Sequence, residues 1–130
     1  MVGWKVEDKI NMETCVFCKI INKELPATIV FENDEFLAFP PIDQVSKGHT
    51  LLIPKKHQEN VFDLDTDSFG RLAELAQKLS KELKITHNAD GVNLLNASGK
   101  DAQQSVFHFH LHIVPRYAGD GLDLWFRNKL

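Results

Sequence analysis

The chain has 130 residues, 43% of them hydrophobic and 25% charged, which suits one globular domain with one core. A net charge of −3 argues against nucleic-acid binding, which needs a broad basic face, but leaves room for a small phosphate ligand held by local donors. No apolar run approaches the ~18–20 residues of a membrane-spanning helix, so no membrane association is expected.

The first residues, MVGWKVEDKINMET, are charged and mixed, without an apolar block or a small-residue cleavage site. They read as an N-terminal arm over 1–14, not a secretory signal, ahead of a single domain over 15–130. Cys15 and Cys18 are too few for a disulfide scaffold, and with no export signal they place the protein in a reducing cytoplasm. A short helix is predicted over Phe17 to Asn22, stopped by Pro26. Ile29 to Glu32 and Glu35 to Phe39 read as two strands around an Asn33-Asp34 turn. Thr50 to Ile53, between Gly48 and Pro54, reads as a third. A long helix follows, capped by Asp65 or Asp67, with Phe69, Leu72, Ala73, Ala76, Leu79 and Leu83 on one face. A fourth strand is predicted over Val92 to Leu95, then a polar loop from Asn96 to Gln104. A fifth is predicted over Val106 to Val114, ended by Pro115. Strands with hairpin-like connections and one long helix predict an α+β fold on an antiparallel sheet.

The chemistry concentrates in Val106-Phe107-His108-Phe109-His110-Leu111-His112-Ile113-Val114. Three of the chain's six histidines fall within five consecutive positions. Side chains alternate along a strand, so His108, His110 and His112 would share one face at roughly 6–7 Å intervals, and Phe107, Phe109, Leu111 and Ile113 the other. Two chemistries use such a row. It can hold a catalytic metal with an open position for water. Alternatively, one imidazole acts as nucleophile while its neighbours orient it and bind developing charge. Spacing alone leaves both open. Upstream, Cys15-x-x-Cys18 has the spacing of half a zinc site, with inert thiols or a redox pair as alternatives.

Residues 15 to 116 resemble the histidine triad (HIT) family. The resemblance is carried, in chain order, by Cys15-Val-Phe-Cys18 through Pro26, by Gly48-His49-Thr-Leu-Leu-Ile-Pro-Lys-Lys-His57, and by His108-Phe-His110-Leu-His112-Ile-Val. It implies a HIT-like fold with a five-stranded, mostly antiparallel sheet, one long and one short helix. It also implies a hydrolase or nucleotidyl transferase that cleaves the α-phosphate linkage of nucleoside phosphoramidates or dinucleoside polyphosphates. In that reading His110 is the nucleophile and forms a nucleotidyl-histidine intermediate. His112 and His49 assist it and bind phosphate. Ser105 and Gln104 donate hydrogen bonds to the phosphate and leaving group, and Asn96 lines the site. Many members carry an acidic or amide residue, a ribose ligand, where this chain has Pro41; Asp43 is the expected stand-in. A weakly catalytic nucleotide sensor or interaction protein is the alternative.

The same resemblance completes the Cys15–Cys18 pair with His57 and His108 as a structural zinc site, and implies no organic cofactor. It further implies a homodimer built through helix and strand. Arg116, Lys55, Lys56 and Lys100 are candidate polyphosphate contacts, and His87 receives no role.

Overall fold

The computed structural model describes residues 12–126. Most of the predicted arm, residues 1–11, lies outside them. Helix α1 spans Val16–Ile21 and α2 spans Thr66–Thr86; the strands are β1 (Phe31–Glu32), β2 (Phe36–Phe39), β3 (Thr50–Pro54), β4 (Gly91–Leu95) and β5 (Leu111–Arg116). The sheet order is β1-β2-β3-β5-β4, and every pairing is antiparallel.

Local chemistry explains the boundaries. The Cys15 thiol accepts from the Cys18 backbone N–H and so caps α1. The helix stops at Ile21, short of Pro26, as Lys23 turns to φ 64°. Asn33 accepts from the backbone N–H groups of Glu35 and Phe36 at 2.9 and 2.7 Å, a side-chain turn that reverses β1 into β2. Asp65 caps α2 by accepting from the Ser68 N–H.

The sheet is covered on both sides, and strand alternation decides what each side receives. Phe36, Ala38, Leu52, Phe109 and Ile113 pack with Leu72, Leu75, Ala76, Leu79 and Leu83 of α2. Leu37, Phe39, Leu51 and Ile53 point to the other side, where Cys15, Phe17 and Cys18 of the α1 segment cover them. Each such fully buried aliphatic side chain contributes about 1.5–3 kcal/mol.

Several expectations need correction. The buried stripe of α2 runs through Leu75, while Ala73 is exposed and Phe69 is only partly covered. The first strand is paired only at Phe31–Glu32, and β3 extends through Pro54, opposite Phe36. The fifth strand starts at Leu111 and not at Val106. Ahead of it the backbone leaves the ladder: the Phe109 N–H donates to the Gln58 carbonyl at 2.6 Å, and Phe107 is exposed. Pro115 does not end the strand. The Arg116 carbonyl accepts from Asp90, so the proline nitrogen faces the β3 side, where pairing has already stopped at Thr50.

Candidate functional site

His108, His110 and His112 all lie on the α1 side of the sheet. The alternation expected of a strand therefore survives, although only His112 is in the paired strand. The three rings do not share one pocket. His108, fully buried, turns toward the cysteines. Its Nδ1 lies 3.4 Å from Cys15 Sγ and 3.6 Å from Cys18 Sγ, and His57 Nδ1 lies 3.2 Å from Cys18 Sγ. One ligand atom from each of these four residues falls within 4.8 Å of every other.

The donor set fits zinc on its own chemistry. The Pro54 carbonyl can only accept, so His108 donates to it through Nε2–H at 2.7 Å. That fixes the tautomer and leaves the Nδ1 lone pair facing both thiols, as a metal ligand requires. Cys15 is held far below the ordinary thiol range, chiefly by hydrogen bonding from Cys18, with His108, His57 and the Cys18 N–H adding to it against desolvation. Cys18 is pushed up by the same partner and by burial. The four residues fit a zinc ion as a closed Cys₂His₂ set with no position left for water, which suits a structural site.

The other two histidines join His49 in a second group. Backbone partners again fix the proton positions. The His108 carbonyl accepts from His110 Nδ1–H at 2.9 Å, which leaves Nε2 of His110 unprotonated. The Val45 N–H donates to His49 Nδ1 at 3.2 Å, so His49 carries its proton on Nε2 and donates to His112 Nδ1 at 2.9 Å. His112 then carries its own proton on Nε2. The His110 and His112 ring centroids are 5.1 Å apart. Two adjacent neutral imidazoles thus end in opposite character, a lone pair on one and an N–H donor on the other. Burial lowers the pKa of His49 and of His110, and burial with the nearby His110 and His49 pushes His112 down to about 4. At neutral pH all three are uncharged, as this hydrogen-bond chain needs. Phe17 stands edge-on to both His108 and His110, with centroids 5.8 and 5.2 Å away, and so touches a member of each group.

The remaining predicted residues divide. Asn96 donates through Nδ2 to the His110 carbonyl at 3.0 Å, so its amide holds the main chain of that residue. Ser105 and Asp43 are exposed. Gln104 is a correction. Its Nε2 donates to the Glu59 and Val106 carbonyls and its Oε1 accepts from the Gly99 N–H, so the amide ties the loop together and has no donor left for a phosphate. Arg116 is likewise occupied by Asp120, Asn93 and the Leu122 carbonyl, and Lys55 by Glu32. Sequence reading missed Phe17, Ser98 and the carbonyl of Pro54. Only Ser98 left a signal, as a hydroxyl within a polar loop beside Asn96.

Residues 22–119 match the family model of the HIT domain. An uncharacterized HIT-like protein of Borreliella burgdorferi is 43% identical over 121 residues, covering 92% of this chain and 87% of the relative. The crystal structure of a zinc-bound histidine triad family protein from Mycobacterium smegmatis is 37% identical, with a TM-score of 0.83 over 87% of this chain and 82% of that one. The crystal structure of a hypothetical histidine triad nucleotide-binding protein from Sulfolobus tokodaii is 43% identical, with a TM-score of 0.79 over 86% and 75%. A triad strand beside a four-ligand metal pocket, on a five-stranded antiparallel sheet, defines the class. The chain belongs to the HIT domain family.

Proposed function

We propose that this protein binds a nucleoside phosphate conjugate and hydrolyses it at the α-phosphorus, with His110 as nucleophile. The observation that carries the reading is the opposed hydrogen-bond character of His110 and His112. A phosphoryl group needs both a lone pair to attack phosphorus and a donor for the charge that builds on its oxygens. Nε2 of His110 attacks, and the P–N bond forms as the bond to the leaving amine or phosphate breaks. The leaving group keeps the electron pair and takes up a proton, for which the exposed Ser105 hydroxyl is the proposed donor. His112, held by His49, donates its Nε2–H to a phosphoryl oxygen. Water then attacks phosphorus as the P–N bond to His110 breaks, its proton returns to Ser105, the His110 lone pair is restored, and a nucleoside monophosphate is released. Asp43 is the proposed contact to the sugar. The Sulfolobus tokodaii relative, by its description, supports a nucleotide as the ligand.

The metal pocket is separate from this chemistry. A zinc ion bound there braces the segment from which His110 projects. A hydrolase using all three histidines on one catalytic metal is not supported, because the His108 ring is turned toward the thiols.

The test is hydrolysis of adenosine 5′-phosphoramidate and diadenosine polyphosphates by the wild type and by His110→Ala. The expected result is loss of at least about a thousandfold in kcat with the fold retained, and an acid-labile nucleotidyl adduct on His110 in the wild type. Near-normal turnover in the variant would refute the assignment. Pro41, in place of a ribose ligand, favours a second reading, a nucleotide sensor with little turnover. Nucleoside monophosphate binding without any product from either substrate class would favour it.

A further inference from the structure

Ser98 sits two residues beyond Asn96, in the loop between β4 and the triad segment. Its hydroxyl makes two hydrogen bonds whose directions are fixed by the partners. The Val61 backbone N–H can only donate, and it donates to Ser98 Oγ at 2.9 Å. Asn96 Oδ1 can only accept, and it takes the single hydroxyl proton of Ser98 at 2.7 Å. An asparagine amide is nearly symmetric in shape, so what fixes its orientation is the network around it. With Oδ1 committed to Ser98, Nδ2 must face the His110 carbonyl, where it donates at 3.0 Å. The reversed amide would set oxygen against oxygen.

We infer that Ser98 is a positioning residue for His110: it anchors the Asn96 amide through Oδ1, and the anchored amide holds the main chain of the nucleophile. His110 is then held at two points, its carbonyl by Asn96 and its ring Nδ1–H by the His108 carbonyl. The relay begins at Val61, in the segment whose Gln58 carbonyl also accepts from the Phe109 N–H. One segment therefore anchors both the residue before the nucleophile and, through Ser98 and Asn96, the nucleophile itself. Without the hydroxyl, Oδ1 loses its partner, the amide is held through Nδ2 alone, and the ring samples a wider range of approach to phosphorus.

This inference rests on the reading of His110 as nucleophile, so the experiment separates the two. Single-turnover kinetics with adenosine 5′-phosphoramidate measure the rate of adduct formation on His110 and the substrate concentration for half-maximal rate. In parallel, NMR of ¹⁵N-labelled protein follows the Asn96 side-chain amide. Ser98→Ala is expected to slow adduct formation about two- to tenfold, the range for one hydrogen bond, with half-saturation changed less than twofold. The two Asn96 amide protons should change shift, because the amide is then held through Nδ2 alone. Ser98→Thr keeps the hydroxyl and should restore both rate and shifts, which mere packing at this site would not predict. A wild-type rate in Ser98→Ala, unmoved Asn96 shifts, or no recovery in Ser98→Thr would overturn the relay. If the wild type forms no adduct on His110, the proposed function falls, and the amide shifts alone decide whether Ser98 orients Asn96.

Discussion

Protonating His112 in the folded protein means placing a charge on a half-buried ring beside two other imidazoles, which holds its pKa near 4. In the unfolded chain the same ring protonates near the ordinary value of about 6.5. Between these values the unfolded chain takes up a proton that the folded one refuses. The sign follows: stability is fully present above about pH 6.5, declines as pH falls toward 4, and declines no further from this source below that. His49, lowered by burial, acts in the same direction. Replacing His112 with Gln removes its share. Denaturant unfolding should show the wild type losing about 1–2 kcal/mol more than His112→Gln between pH 7 and pH 4.5, after discounting for the partial exposure of the ring. Acid release of a bound metal affects both proteins alike and cancels. Parallel stability–pH curves would show that His112 is not a neutral, desolvated ring.

At the scale of the element, α1 is too short to stand alone. Six residues are far fewer than the ~12–15 an isolated helix needs, so α1 depends on what its side chains grip. Phe17 packs edge-on to Phe39 at 5.6 Å, and Cys15 and Cys18 complete the metal pocket with His57 and His108. A chelator should therefore lower the melting temperature by about 10 °C, the shift expected for losing a ligand held at a hundredfold above its Kd. Cys18→Ser should start from a lower value and respond little to the chelator. An unchanged melting temperature in protein shown by metal analysis to have held zinc would remove the bracing role.

This dependence also explains what could be read in advance. Half of the ligand set was legible because Cys-x-x-Cys is a local pattern, and a family resemblance supplied His57 and His108. The α2 stripe was legible at Leu72, Ala76, Leu79 and Leu83 because helical spacing is local. Its neighbours were less so: Leu75 and Ala73 exchange places according to where the sheet lies, which periodicity alone does not fix. The start of β5 was illegible because the His-Phe alternation looks the same whether Phe109 bonds to another strand or to the Gln58 carbonyl. The roles within the triad lay outside the pattern for a related reason. They are set by Val45 N–H, the Pro54 carbonyl and the His108 carbonyl, backbone groups available at every position and informative only once the chain is folded.

At the scale of the whole molecule, the sheet ends in a strand that nothing among the described residues covers. Strand β4 is outermost, and its pairing with β5 puts Leu94 opposite Ile113 and Val92 opposite Pro115, on the side of the sheet that carries α2. Val92 and Leu94 nevertheless remain 37% and 48% exposed, and a groove lined by Leu83, Ala89, Val92 and Pro115 lies between Val92 and the helix. An open edge with apolar side chains is a template for another strand. We propose that a second copy takes it, β4 against β4 about a two-fold axis, so that two five-stranded sheets continue into one and the helices pack beside the seam. Sedimentation equilibrium at micromolar concentration should then report a species of twice the 14.8 kDa chain mass. Leu94→Lys places a charge where natural edge strands place one to prevent pairing, and should shift the protein to monomer while leaving its circular dichroism spectrum unchanged. A wild type that sediments as a monomer throughout that range would rule out the β4 seam. A dimer indifferent to Leu94→Lys would move the interface elsewhere.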